Sequence, residues 1–355
     1  TPVNYFSMFH LGVYGAVQIT GSHNPPEFNG FKMSINKKAF YGDDIQTLYK
    51  IIDKMDFEVG EGIETRYKIL PQYKKMIKEK INIEKPIKLV MDCGNASGAI
   101  NGPEIFKELG IEVKELYCKI DGSFPNHHPD PTVKENLKDL INEVKIGNYD
   151  LGIAFDGDGD RILIVTSEGE VLDGDDILYV LSSELKEDTG VVGTLMTNKS
   201  LEVHFKNLGI QFKRADVGDK YVLQELLANS WQLGGEPSGH IICLDASPTG
   251  DAIIAALKFL SAIKNQKFSV KKSLEGFNKF PQTLINLKVD NPNKIIINDS
   301  FWSEVTDVES SLGETGRVLI RPSGTEPLIR IMVESEDSTK SENLCNSLAE
   351  LALKI

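Results

Sequence analysis

Residues Thr20-Gly21-Ser22-His23-Asn24-Pro25-Pro26 decide how the rest of the chain is read. A hydroxyl, an imidazole and an amide stand on consecutive positions, with a glycine before them and two prolines after. Proline fixes φ and has no N–H to donate, so the backbone turns here instead of continuing as helix or strand. The turn presents Ser22. The apolar run Gly15-Ala16-Val17-Gln18-Ile19 before it reads as a buried strand. Ser22 then stands at a strand end, a usual position for chemistry in α/β proteins. Local composition by itself fits an ordinary Ser or Asx turn equally well.

Three further loops carry different chemistry. In Asp156-Gly157-Asp158-Gly159-Asp160-Arg161, carboxylates alternate with glycines that let the backbone fold tightly around an ion. Carboxylates this close repel one another, and a cation resolves the repulsion. A few hard oxygen ligands suit Mg²⁺, which completes its shell with substrate or phosphate oxygens. An EF-hand shares the alternation, but Arg161 stands where it needs Gly and Ser167 where it needs Glu. The apolar stretch Leu151 to Phe155, feeding straight into the loop, argues against a surface acidic turn. Gly234-Gly235-Glu236-Pro237-Ser238-Gly239-His240 offers Glu236 and Ser238 to the hydroxyls of a sugar, although a plain polar loop has the same composition. In Arg321-Pro322-Ser323-Gly324-Thr325-Glu326-Pro327-Leu328-Ile329-Arg330, planar guanidinium donors flank hydroxyls and backbone N–H groups suited to a phosphate dianion.

The gross numbers bound the class. At 355 residues the chain exceeds what one hydrophobic core usually supports. Hydrophobic residues at 41% and charged residues at 26% describe an ordinary globular protein. A net charge of −13 excludes nucleic acid and an anionic membrane surface as expected partners, while leaving room for a locally cationic pocket. No apolar stretch approaches the ~20 residues of a spanning helix, and the first residues do not show a basic region followed by a hydrophobic one. The four cysteines, Cys93, Cys118, Cys243 and Cys345, have no paired spacing, so neither a zinc site nor a disulfide framework is expected, and a cytoplasmic location is. His127 and His128 invite a metal reading, but Pro125, Pro129 and Pro131 around them favour a rigid loop.

The expected architecture is α/β: three tandem α/β units with mixed, largely parallel sheets, plus a C-terminal α+β domain with an antiparallel sheet. The boundaries are 1–67, 68–168, 169–279 and 280–355. In the first segment Asn29-Gly30 reads as a hairpin-type turn before a strand in which Lys32 points away from Phe31, Met33 and Ile35. A helix is expected from Asp44 to Ile52. In the second segment, Gly94 and Gly98 match neither G-x-G-x-x-G nor the P-loop and read as a tight strand-to-helix turn. The third alternates helices and strands, which implies parallel pairing through crossovers. Strands near 283–289, 317–320 and 328–333 with helices near 301–312 and 339–354 fill the fourth.

These four loops, in this order, resemble the α-D-phosphohexomutase superfamily, and the resemblance covers the whole chain. It implies that Ser22 is carried as phosphoserine and passes its phosphoryl group to a hexose monophosphate through a bisphosphorylated sugar. It further implies Mg²⁺ on Ser22, Asp156, Asp158 and Asp160, with Arg161 adding positive charge. Asn29-Gly30-Phe31-Lys32 matches the family pattern, so Lys32 or His23 would manage the proton of the attacking hydroxyl. Glu236, Ser238 and Lys199 would hold the sugar; Arg321, Ser323, Gly324, Thr325 and Arg330 would hold the other phosphate. A sugar bisphosphate acts as activator, domain closure is expected, and the assembly is a monomer or homodimer. Family members have most of a first domain before the Ser loop, so the chain is expected to be N-terminally incomplete. The first half resembles phosphomannomutase/phosphoglucomutase and the second phosphoglucosamine mutase, and Pro237 departs from both; the reading leans to glucosamine phosphate. A sugar-phosphate-binding protein without turnover and a phosphatase are the alternatives from other classes.

Overall fold

The computed structural model of this chain describes every residue except 84–86, 186–188, 265–268 and 324–326. The residues fall into two compact units, one of Thr1–Met196 with Lys213–Glu275 and one of Thr197–Phe212 with Gly276–Ile355.

The first unit begins with a helix, Pro2–Leu11, then an antiparallel sheet of β1 (Gly15–Ile19), β2 (Phe31–Ile35) and β3 (Lys38–Ala39) in that order. β1 and β2 form a hairpin, but its connection is the whole loop 20–30, closed by Thr20 N–H donating to Gly30 O at 3.0 Å. Asn29-Gly30 ends this loop and does not make a two-residue turn. The expected buried strand forms, yet none of its residues is buried, and Val17 and Ile19 are 55% and 60% exposed. β1 is an edge strand paired on one side only, so an apolar run does not guarantee cover. The face of β2 is also inverted from its hydropathy: Phe31 is exposed, whereas Ser34 is buried and Lys32 half-buried.

A five-stranded sheet follows, in the order β5-β4-β6-β7-β8, from β4 (Lys88–Asp92), β5 (Glu112–Leu116), β6 (Leu151–Phe155), β7 (Ile162–Thr166) and β8 (Val171–Leu172). β4 runs parallel to both β5 and β6, while β6, β7 and β8 are successively antiparallel. The sheets are mixed as expected, with less parallel pairing than the rhythm suggested, because the six residues 156–161 between β6 and β7 are too few for a crossover. β6 and β7 are buried along their whole length, and Leu140 and Val144 of the helix Lys138–Ile146 pack on Val90, Ala154 and Val165. The third sheet takes β10 (Gln211–Ala215), β9 (Gly190–Thr194), β11 (Leu233–Gly235) and β12 (Ile241–Cys243) in that order. The β11–β12 hairpin carries residues 236–240 at its tip.

The helix Ala252–Ile263 buries ten of its twelve residues. Asp251 caps it by accepting from Ile254 N–H (3.1 Å), and the same carboxylate accepts from the buried Tyr73 hydroxyl (2.8 Å) of the helix Leu70–Lys80. Burial pushes the Asp251 carboxyl up to about 6.

In the second unit β13 (Gln282–Lys288), β14 (Gly316–Pro322) and β15 (Leu328–Ser335) form an antiparallel sheet with β15 central. Phe301, Val305, Val308 and Leu312 of one helix and Cys345, Leu348 and Ala352 of another cover Ile329, Ile331 and Val333. Helical spacing on the helices and alternation on β13 make this the most legible part of the chain. Asn298 and Asp337 cap the two helices.

The Tyr73 hydroxyl ties one helix to the N-terminus of another. Tyr73→Phe leaves a buried carboxylate oxygen short of a donor and is expected to lower unfolding free energy by about 1–3 kcal/mol, read as a lower urea midpoint at unchanged slope.

Candidate active site

The site is built from three loops of the first unit. The Asp loop is the β6–β7 turn, held by Gly159 N–H donating to Asp156 O (3.3 Å) and by Asp156 Oδ1 accepting from the N–H groups of Asp160 (3.0 Å) and Arg161 (3.1 Å). Its three carboxylates are buried and offer ligand atoms within 4.8 Å of one another. The Ser22 loop lies directly against it. A Cβ on Gly157 would stand 1.9 Å from Ser22 O, so only glycine permits this approach. Ser22 itself takes a left-handed φ of 52°, and its Oγ donates to Asp158 Oδ1 at 2.9 Å, with Asp156 Oδ2 at 3.4 Å and His23 Nδ1 at 3.2 Å.

The tip of the β11–β12 hairpin closes the third side. Ile162 N–H donates to Gly239 O (3.0 Å) and Arg161 bridges to His240. Gly239 has φ 90°, and a Cβ there would meet Ile162 O at 2.1 Å. These contacts bring Ser22, His23, Lys32, Arg161, Glu236 and Ser238 to the wall of one cavity of about 570 Å³. Six residues singled out from four separate stretches of sequence therefore share one site.

Charge balance explains the details. Lys32 places Nζ 2.6 Å from Asp158 Oδ2 and 2.7 Å from Asp160 Oδ2. Burial would lower its pKa, but Asp160 and Asp158 outweigh burial and raise it, so Lys32 stays an ammonium. Burial and Asp160 push Asp158 up, and Lys32 more than offsets them; Asp160 is likewise held well down by His240 and Lys32 against burial. Asp156 lacks such a partner, and burial with its two acidic neighbours holds it well above the ordinary carboxylate range. His23 is lowered by burial and by Arg161. Burial raises Glu236, whose Oε1 accepts from Gly218 N–H (3.0 Å).

The donor set fits a small hard cation. Among the described residues Asp160 Oδ1 is buried without a hydrogen-bond partner, and the three carboxylates have acceptor capacity that Lys32 does not fill. His240 was not singled out from the sequence. It is buried with Nδ1 3.7 Å from Asp160 Oδ1, and Asp160 raises its pKa against the effect of burial. The only sequence signal for it was its place at the end of the Gly-rich loop.

The remaining sequence candidates belong to the second unit. Lys199 opens the helix Lys199–Asn207, its Nζ donating to Glu202 Oε1 (2.6 Å) and its N–H to Glu334 Oε2 (3.0 Å). Arg321 and Arg330 face each other across β14 and β15, and among the described residues Arg330 Nε is buried without a hydrogen-bond partner. Like charges directly opposite are unfavourable, and an anion between them reverses the sign. Ser323 N–H donates to Leu328 O (2.9 Å); Gly324 and Thr325 lie outside the described residues.

Comparison with known proteins is consistent along the chain. Four models described as phosphoglucomutase/phosphomannomutase match: alpha/beta/alpha domain I over residues 1–59, domain II over 71–169, domain III over 173–280 and the C-terminal domain over 284–351. A phosphoglucosamine mutase of Aliivibrio fischeri (strain ATCC 700601 / ES114) is 40% identical over 348 residues, covering 94% of this chain and 77% of that protein. One of Pseudomonas entomophila is 37% identical over 353 residues, covering 96% and 78%. Among solved structures, a phosphoglucomutase/phosphomannomutase family protein of Burkholderia thailandensis superposes with a TM-score of 0.86 at 32% identity, over 96% of this chain and 76% of that one. An N-acetylphosphoglucosamine mutase of Aspergillus fumigatus shares the fold at a TM-score of 0.71 and 17% identity, over 99% and 90%.

Removing Lys32 exposes the repulsion it offsets. The side chain is 34% exposed, so solvent screening reduces its effect. Lys32→Met is expected to lower stability by about 1–3 kcal/mol. Added Mg²⁺ should raise the melting temperature of the variant more than that of the parent, and an equal rise would contradict this charge balance.

Proposed function

The chain belongs to the phosphoglucomutase/phosphomannomutase family, and from that premise we propose that it interconverts glucosamine 6-phosphate and glucosamine 1-phosphate. The observation that carries the reaction class is the Ser22 hydroxyl set 2.9 Å from one carboxylate of a buried acidic triad. The phosphoglucosamine mutases at 37–40% identity support the sugar.

Ser22, carried as phosphoserine, brings a charge of about −2 at neutral pH against the triad. Mg²⁺ held by Asp156, Asp158, Asp160 and the Ser22 oxygen supplies charge neutralisation when bound. The P–O bond to Ser22 breaks as the free hydroxyl of the hexose monophosphate bonds to phosphorus. His23, neutral because burial and Arg161 lower it, accepts the hydroxyl proton at Nδ1. Lys32, kept as an ammonium, contributes charge to the transferring group together with Arg161. The bisphosphorylated sugar then reverses, Ser22 attacks its other phosphoryl group, and the proton returns. Glu236 and Ser238 hold the sugar hydroxyls in both orientations, and Lys199 contributes to the same recognition. Arg321, Ser323, Gly324, Thr325 and Arg330 bind the phosphate that is not transferred, which relieves the facing of the two arginines.

The test follows glucosamine 6-phosphate, mannose 1-phosphate and glucose 1-phosphate in one mixture by phosphorus NMR, with Mg²⁺ and a trace of sugar bisphosphate. The glucosamine pair should equilibrate without inorganic phosphate appearing, and Ser22→Ala should slow it by more than about a thousandfold. Conversion of the mannose or glucose pair alone would reassign the sugar. Phosphate release that survives Ser22→Ala would identify a phosphatase.

A further inference from the structure

Cys93 follows β4 and Cys118 follows β5, and these strands pair in parallel, so both thiols leave the sheet at the same end. Cys93 N–H donates to Leu116 O (3.1 Å) and Asn95 N–H to Tyr117 O (2.8 Å), which fastens the two strand ends together. Asn95 and Tyr117 both adopt left-handed backbone, φ 58° and 52°, and these turns fold the two cysteines onto each other. The outcome is two free thiols with Cys118 Sγ 2.9 Å from Cys93 Sγ. The other two cysteines, Cys243 and Cys345, are buried singly. Nothing in the proposed reaction uses the pair.

From this juxtaposition we infer that Cys93 and Cys118 are a reversible dithiol–disulfide pair oxidised by hydroperoxides. A disulfide needs ~2.05 Å between sulfurs, and the observed separation of 2.9 Å is already inside ordinary sulfur–sulfur contact. The two thiols have different roles. Cys118 is half-buried and reachable, whereas Cys93 is fully buried, and burial with the Cys118 contact pushes its thiol well up. The Cys118 thiolate attacks the terminal peroxide oxygen; the O–O bond breaks, and the alcohol, or water from hydrogen peroxide, leaves. Cys93 sulfur then displaces the hydroxyl of the Cys118 sulfenic acid, forming the S–S bond and releasing water that carries the Cys93 proton. Two thiols lose two electrons and two protons, and the peroxide takes up both. The bridge braces the turn whose Asp92 and Asn95 bond His127 (3.0 Å) and Asn126 (2.7 Å), next to the His128 side chain that reaches His23 O.

The folded full chain is treated with hydrogen peroxide, alkylated in denaturant, digested and analysed by mass spectrometry. The expected product is a Cys93–Cys118 cross-linked peptide, with Cys243 and Cys345 alkylated as thiols and complete reversal by dithiothreitol. Cys118→Ser should abolish the cross-link and leave Cys93 alkylated as a thiol. Conversion of Cys118 to sulfinic acid while Cys93 stays a thiol overturns the inference. So does oxidation of Cys243 and Cys345 as fast as the pair, or an absence of reaction. None of these readouts depends on turnover, so failure here and failure of the mutase reading are told apart.

Discussion

Three carboxylates buried within 4.8 Å of one another set the problem that the surrounding structure answers. Two ionised carboxylates at this separation disfavour each other strongly in a low-dielectric site. Three sets of contacts around the Asp loop act on that repulsion. Lys32 reaches inward from a strand whose Phe31 and Ile35 are exposed, His240 is buried against Asp160, and backbone N–H groups converge on Asp156. The compensation is incomplete, since Asp156 remains well above its ordinary range and Asp160 keeps an oxygen without a hydrogen bond. The same imbalance suits the loop to a divalent cation.

Much of this was legible in the sequence, for reasons that differ by element. The Ser22 and Asp loops announce themselves because glycine and proline dictate turns whatever their surroundings, and alternating Asp and Gly leaves few structural uses. The C-terminal sheet and its helices follow their periodicity closely. The failures are also physical. Hydropathy put Gly15–Ile19 inside, but in this edge strand Ala16 and Gln18 are only half-buried while Val17 and Ile19 are exposed, and hydropathy cannot report pairing. Lys32 does point away from Phe31, Met33 and Ile35 as the alternation predicts, and the face it takes is the one turned to the buried carboxylates of Asp158 and Asp160, which hydropathy alone does not report. β11 and β12 are three residues each, too short for a period to show, so their hairpin was read only as a loop. Cys93 and Cys118 seemed unrelated because parallel neighbours are separated in sequence by a whole crossover; strand order, not spacing, brings them together.

Glycines govern how closely the loops approach. Gly157 lets the Ser22 backbone rest on the Asp loop, and Gly239 lets the tip of the β11–β12 hairpin lie on Ile162. Catalytic geometry here depends on positions that carry no functional group, which is the sense in which positioning dominates phosphoryl transfer.

The central claim is that Ser22 carries the phosphoryl group in transit. Its most direct test is to incubate the protein with Mg²⁺ and a sugar bisphosphate labelled in its phosphoryl groups, remove the small molecules, and map the label by peptide mass spectrometry. The account predicts one phosphoryl group per chain, on Ser22, and its transfer to hexose monophosphate when that is added. Label on another residue, or loss from Ser22 as inorganic phosphate with none reaching the sugar, would contradict it.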